Sequence, residues 1–256
     1  MTDERVVLIS GAASGIGAAT ARRFMKEGWR VALNHVDAAQ KAAAEQVAAQ
    51  MNVPASRSLA VEGDVTQDAD CVRVVERAME HFGRLDALVN AAGISKMVPH
   101  PDLHGVSAED FQRIYAVNTI GTFQMMRAAA KHLKASGKGS IVNISSRAAL
   151  MGSGSSIPYA ASKAAVNALT LALARVLAPE VRVNAVCPAL VEQGFVERLA
   201  PESFTKRRAH QIEVSPLHRI GHPDEVAEAI WWLTTGASMM TGAIVELDFG
   251  MHLNAI

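Results

Sequence analysis

The sequence predicts an α/β fold, a doubly wound sheet of about seven parallel strands flanked by helices in a single domain over residues 1–256. Short β-branched runs alternate with longer segments of helical periodicity, and no internal repeat interrupts them. Several of these runs are almost wholly apolar, as parallel strands covered on both faces tend to be. Alternation of this kind folds into one sheet with right-handed crossovers.

The strands and helices can be placed in order from these patterns. Strands are predicted at 5–9, 30–34, 58–62, 85–90, 139–145, 181–186 and 243–247. Helices are predicted at 15–26, 38–51, 66–81, 107–135, 159–178 and 223–235.

The helix limits rest on capping signals. Ser107 and Asp110 resemble a capping box at the start of the fourth helix. The third helix begins with a good N-cap at Thr66 and ends before Gly83, and the fifth stops at Pro179.

Two segments have no such pattern. The glycine- and serine-rich stretch 152–156 is predicted to be a loop. Residues 189–215 fit no strand and are predicted to form a flap over the substrate.

Composition excludes several classes of protein. Lys+Arg and Asp+Glu both total 25, so no net charge favours nucleic acid or an anionic membrane, and the cluster 206–208 is too short to do so. No run is apolar enough for a signal peptide or a membrane span. Cys71 and Cys187 have no metal-ligand spacing and are predicted to be packing groups in a reducing cytoplasm. The nine histidines show no ligand pattern, so no metal is expected.

Glycines 11, 15 and 17 directly follow the first predicted strand. Small residues there let the backbone approach a pyrophosphate at a helix N-terminus. The spacing differs from G-x-G-x-x-G, and an ordinary tight turn is the alternative.

Tyr159 and Lys163 lie four residues apart in a predicted helix. This spacing puts a phenol and an ammonium side by side on one face. Such pairs are common by chance, so other motifs must support a chemical role.

These motifs together resemble those of the short-chain dehydrogenase/reductase family over nearly the whole chain. Each follows a predicted strand or lies on a predicted helix, in the family's order. They are the turn Ser10–Gly17, Asp64-Val65, the stretch 90–93, Asn118, Ser146 thirteen residues before Tyr159, and Tyr159-x-x-x-Lys163.

The resemblance implies a Rossmann-type fold and hydride transfer between a nicotinamide and a small carbonyl or alcohol substrate. Tyr159 would be the acid/base, with Lys163 lowering its pKa and holding the ribose. Ser146 would donate to the substrate oxygen, while Ser145 points elsewhere. Asn118 would hold a relay water, although bracing a helix is its alternative role.

The resemblance also implies the contacts with NAD or NADP. The predicted cofactor-binding residues are Gly11, Ser14, Gly15, Ile16, Gly17, His35, Asp64, Val65, Asn90, Ala91, Gly93, Tyr159, Lys163, Pro188 and Val191.

The choice between the two cofactors depends on the end of the second strand. His35 stands where an acidic residue normally accepts the ribose hydroxyls, and Asp37 follows two positions later. Loss of the acid favours NADP(H) slightly, although no base adjoins it. Taken alone, His35 is predicted to be solvated.

Substrate identity is less accessible. The walls of the substrate site are predicted to come from residues 95–105, residues 147–157 and the flap. In the flap, Ala189 and Gln193 depart from the family pattern. Lys96 and Arg147 would contact an anionic or polyhydroxy substrate, unless they are simply solvated.

Two other functions compete with an oxidoreductase. One is a non-catalytic dinucleotide-binding regulator, which has no need of Ser146 or Tyr159. The other is a nucleotide-sugar epimerase or dehydratase, for which little chain remains to build a substrate domain. The resemblance further implies a homotetramer or homodimer through helices 107–135 and 159–178.

Overall fold

The structure is a computed structural model that describes residues 4–254, and it confirms the doubly wound sheet. Within this range seven strands lie parallel in the order β3-β2-β1-β4-β5-β6-β7. They are β1 (Val6–Ser10), β2 (Arg30–His35), β3 (Ser58–Glu62), β4 (Ala87–Asn90), β5 (Gly139–Ile144), β6 (Val181–Pro188) and β7 (Ile244–Leu247). After β3 the chain returns to the other side of β1, which creates a crevice at the carboxyl ends of β1 and β4.

Helices cover both faces of this sheet. They are α1 (Gly15–Lys26), α2 (Ala38–Gln50), α3 (Asp68–Phe82), α4 (Ala108–Tyr115), α5 (Thr122–Ala135), α6 (Ala148–Met151), α7 (Ile157–Leu177), α8 (Phe195–Leu199), α9 (Pro201–Val214) and α10 (Pro223–Thr235).

Each face of the sheet has its own apolar core. On one face α3, α5 and α7 pack through residues such as Val75 and Met126. On the other, α1 and α10 pack through Phe24 and Ile230. Cys71 and Cys187 are buried free thiols, consistent with the predicted packing role.

Helix α3 begins later than predicted. Its first residue is Asp68, and Gln67 occupies the N-cap position without a side-chain hydrogen bond. Asp64 Oδ1 instead accepts the backbone N–H of Thr66 at 2.9 Å, which forms a turn before the helix. The predicted end is confirmed, because Gly83 adopts a left-handed φ of 76°.

The helix predicted at 107–135 is divided. Its capping box between Ser107 and Asp110 is present. A π-helical turn at Ala116–Gly121 then separates α4 from α5. Such turns are frequent at functional sites, and this one contains Asn118.

The segment 189–215, predicted to be a flap, contains two helices, α8 and α9, which the sequence did not indicate. A parallel bridge between Val191 and Gly221 attaches its first residues to the rest of the chain. The short helix α6 was not predicted either, whereas residues 152–156 are a loop as expected.

Contrary to the expectation that no run is apolar enough for a membrane span, helix α7 is long and apolar enough by length and composition, alone among the helices of residues 4–254. It packs on the sheet through buried residues such as Val166, Ala174 and Leu177. Its apolar character therefore serves the core, while Leu171 and Val176 on another face remain exposed.

Candidate active site

A cavity of about 1070 Å³ opens at the carboxyl ends of the central strands, beneath the segment 189–215. This is the position at which open α/β sheets bind their ligands. All the predicted site residues line the cavity except Asn90 and Asn118, which lie behind its wall.

The glycine turn forms one end of this cavity. Gly11 and Gly15 have left-handed φ angles of 66° and 53°. A Cβ on Gly17 would lie 2.2 Å from the carbonyl oxygen of Gly11, so only glycine fits. The first N–H groups of α1 have no partner within the helix, and the Ser14 side chain makes no cap hydrogen bond. The turn therefore fits a pyrophosphate.

The end of β2 differs from the expectation for His35. The ring is only 2 % exposed, so the prediction that it is solvated is wrong. The turn after the strand folds over it, and Nδ1 lies 3.0 Å from the carbonyl oxygen of Asp37. The carboxylate of Asp37 accepts the backbone N–H of Gln40 and caps α2.

Asn90 braces the sheet behind the cavity. Its Nδ2 donates to Asn143 Oδ1 at 2.8 Å, which joins β4 to β5. Ser10 Oγ accepts the backbone N–H groups of Ala91 and Ala92 at 3.2 and 3.3 Å. The backbone of 91–93 forms the wall and the Asn90 side chain positions it from behind, while the cofactor contact at Asn90 stays a prediction.

Asn118, in the π-helical turn, also holds neighbouring segments together behind the cavity. Its Oδ1 accepts the N–H of Ile94 at 2.8 Å, and its Nδ2 donates to the carbonyl of Ile94 and to Ser162 Oγ, both at 3.0 Å. Both amide N–H bonds are used, so the side chain braces this turn, the alternative role considered for it, while the relay-water role stays a prediction.

The two serines after β5 separate as predicted. Ser145 borders the cavity, but its Oγ donates to the carbonyl of Lys163 at 3.0 Å. Ser146 lines the cavity beside Tyr159. Burial raises the pKa of the Tyr159 phenol above its ordinary value, and a hydrogen bond with Ser146 acts in the opposite direction.

Lys163 is buried beside the phenol. Its Nζ donates to the carbonyl of Ile144 at 2.7 Å and lies 5.9 Å from the centroid of the Tyr159 ring. Burial lowers the pKa of Lys163 to about 8. The pair lies side by side as predicted, but Lys163 alone does not give the phenol the lowered pKa that was expected.

The segment 189–215 covers the site with Phe195, which the sequence did not single out, and with Gln193, which it did. The ring of Phe195 lies edge-on to that of Tyr159, with centroids 6.3 Å apart. Gln193 has a left-handed φ of 58°, and its Nε2 lies 3.3 Å from His222. An aromatic residue in an unpatterned segment gives no sequence signal for such a contact.

The two predicted anion-binding residues already have acidic partners. Lys96 Nζ contacts Asp110 Oδ2 at 2.6 Å. Arg147 Nε lies 3.6 Å from Asp248, which is buried. Burial opposes ionisation of Asp248, but hydrogen bonds from His252 and the Gly250 backbone hold its pKa below the ordinary value.

Potential metal ligands also meet near this point. Possible ligand atoms of Glu246, Asp248 and His252 lie within 4.8 Å of one another. Asp248 is already engaged by His252 and by backbone N–H groups. Proximity of this kind does not by itself make a metal centre.

Comparison with known proteins agrees with this geometry. The family model described as enoyl-(acyl carrier protein) reductase matches residues 11–252. A Streptomyces violaceoruber protein named as ketoacyl reductase 2 of a granaticin polyketide synthase is 41 % identical over 248 residues, 97 % of this chain and 96 % of its own. Cis-4-hydroxycyclohexanecarboxylate dehydrogenase of Sinomonas cyclohexanicum is 37 % identical, with 96 % of each chain covered.

A solved structure extends the likeness to three dimensions. The 3-ketoacyl-(acyl-carrier-protein) reductase of Brucella melitensis, complexed with NADH, is 35 % identical and superposes with a TM-score of 0.86. The alignment covers 98 % of this chain and 99 % of that one.

The fold and the site define an NAD(P)-dependent oxidoreductase acting on CH–OH or C=O groups. The chain belongs to the short-chain dehydrogenase/reductase family.

Proposed function

We propose that Tyr159, Ser146 and Lys163 handle the proton that accompanies hydride transfer to or from a small carbonyl or alcohol substrate. The observation that carries this assignment is the meeting of a half-buried phenol, a hydroxyl and a buried ammonium in one cavity beside the glycine turn. A hydride supplied or accepted by the bound nicotinamide completes the chemistry.

The cofactor would lie along the carboxyl edge of the sheet. The turn at 11–17 would hold its pyrophosphate and the ends of β2 and β3 its adenosine. The nicotinamide end would meet the residues near the catalytic group, which are Ala91, Gly93, Tyr159, Lys163, Pro188 and Val191.

Each side chain has a separate task in the proton transfer. In reduction, Tyr159 donates its proton to the oxygen of the carbonyl as the hydride reaches the carbon. Ser146 donates a hydrogen bond to that same oxygen while its charge develops. Lys163 holds the ribose and favours the phenolate that remains. Asn118 positions α7 through Ser162.

Tyr159→Phe removes the transferable proton while retaining the ring. We expect kcat to fall by about 10²–10⁴-fold, the range of general acid–base catalysis, with cofactor affinity nearly unchanged. Stopped-flow absorbance of the nicotinamide and calorimetric cofactor binding measure the two quantities. Tyr115→Phe is the matched control and keeps turnover. A fully active Tyr159→Phe enzyme would reject the assignment.

A non-catalytic regulator is not favoured as the alternative. The relatives named above are dehydrogenases and reductases, and a binder would not require a phenol hydrogen-bonded to Ser146 in the cavity.

We also propose that the chain uses NADP(H) in preference to NAD(H). The support is the absence of a free carboxylate at the end of β2 within residues 4–254, since Asp37 caps α2 and His35 replaces the acid. A carboxylate there would accept the ribose hydroxyls and repel a 2′-phosphate.

His35→Asp restores that acid. We expect the ratio of kcat/KM for NADPH to that for NADH to fall by at least about tenfold, because a close like-charge pair costs more than about 1.4 kcal/mol. Asp37→Asn serves as the control and should leave the ratio almost unchanged. A wild-type enzyme with a strong NAD preference that Asp37→Asn abolishes would show that Asp37 reaches the ribose.

Self-association is proposed through α4, α5 and α7, giving a homotetramer or homodimer in the cytoplasm without a nucleic-acid or membrane partner. Phe111 and Ile120 are 38 % and 50 % exposed, and Leu171 and Val176 on α7 are 41 % and 64 % exposed. Apolar groups on neighbouring helices of this kind favour burial against a second copy.

Light scattering on a sizing column tests this surface. The wild-type protein should elute as a dimer or tetramer, and Leu171→Lys with Val176→Lys should lower its mass because buried lysines are unfavourable. Leu253→Lys, at an exposed position in the C-terminal turn outside these helices, should have no effect. A wild-type monomer at micromolar concentration would contradict the proposal.

A further inference from the structure

The cavity contains an arginine that the preceding proposals do not use. Arg207 belongs to three consecutive cations on α9, and its two neighbours, Lys206 and Arg208, are exposed. Only Arg207 is half-buried and lines the cavity, with His210 one turn further along the same helix.

Two hydrogen bonds hold this guanidinium at the catalytic end. Nη2 donates to the carbonyl of Gly154 at 3.1 Å, and Nε donates to Ser203 Oγ at 3.2 Å. Gly154 in turn lies against the proposed acid/base, because a Cβ on this glycine would be 3.7 Å from Cδ1 of Tyr159. Gly154 therefore lies between Arg207 and the phenol ring of Tyr159.

The charge of Arg207 has no counter-ion in the described chain. Within residues 4–254, its other N–H donors make no hydrogen bond. No carboxylate of this range lies within 4.0 Å of the guanidinium. Arginine has five such donors, so about three stay free. Lys96 and Arg147 differ, since each has an aspartate partner.

A half-buried, fixed and unpaired guanidinium is suited to a ligand anion. Its planar fork binds a carboxylate through two parallel hydrogen bonds, which a solvated lysine does not reproduce. The acidic lining residues of the cavity, Asp64 and Glu192, make no ion pair with it.

We propose that Arg207 binds a carboxylate carried by the substrate, so that the enzyme acts on keto acids and hydroxy acids whose reacting carbon is held at Tyr159. This inference rests on the function proposed above. The carboxylate is recognised away from the reacting carbonyl, and Arg207 therefore acts as a specificity residue.

Matched pairs of neutral and anionic ketones test the inference. The probes are 4-oxocyclohexanecarboxylate and 4-oxopentanoate, each beside its methyl ester. Wild-type enzyme should have a kcat/KM at least about tenfold higher for each acid than for its ester. Arg207→Gln should raise KM for the acids by about 10–100-fold, leave kcat within about threefold and leave the esters unaffected.

The control variants remove the same charge from the same helix. Lys206→Gln and Arg208→Gln should behave like wild type, because neither side chain lines the cavity. Arg207→Lys should recover only part of the acid preference. Equal losses for acid and ester in Arg207→Gln, or equal losses in all three Gln variants, would overturn the inference.

Calorimetry separates this inference from the proposed function. Binding of 4-oxocyclohexanecarboxylate to the cofactor-loaded protein, lost in Arg207→Gln, supports the site even if no ketone is turned over. Turnover of the esters without preference for the acids overturns the site and leaves the oxidoreductase assignment intact. If the acids are neither bound nor turned over, the proposed Arg207 site is overturned as well.

Discussion

The hydrogen bond from the buried ammonium of Lys163 to the carbonyl of Ile144 is the interaction on which the site geometry depends. A buried cation is strongly unfavourable unless it is hydrogen-bonded, so this contact fixes the N-terminal third of α7 against the end of β5. Tyr159 lies one turn earlier on the same helix, and Ser146 follows the same strand. One strand–helix contact thus holds all three groups.

Buried amides extend this arrangement behind the cavity. Asn90 bonds to Asn143, which bonds to Thr170 on α7, while Asn118 ties the π-helical turn to Ser162. Networks of this kind are costly when only partly satisfied and rigid when complete. These bonds position the wall, although Asn90 Oδ1 is buried without a partner. Specificity can therefore differ through the helices α8 and α9, which cover the cavity without carrying the proposed catalytic groups.

Much of the fold could be predicted from the sequence, because apolar β-branched runs mark strands. The residues of the candidate site came from the resemblance to the family's motifs, and most of them line the cavity. Other features left no local signal. A π-helical turn shifts backbone hydrogen bonds without a characteristic residue, and α9 is too polar for apolar periodicity. The sequence does not distinguish the three consecutive cations 206–208. Only the helical structure of α9 shows that Arg207 faces the cavity. The burial of His35 depends on the turn that folds over it.

The ionisation of Tyr159 is the most direct test of the central claim that burial, Lys163 and the cofactor together control this phenol. The chain has two tyrosines, so Tyr115→Phe leaves Tyr159 as the single phenol for ultraviolet difference titration. Without cofactor its pKa should lie above the ordinary value of about 10, since burial raises it. Saturating oxidised cofactor should lower that pKa by at least about one unit. A pKa that the oxidised cofactor leaves unchanged would contradict the account.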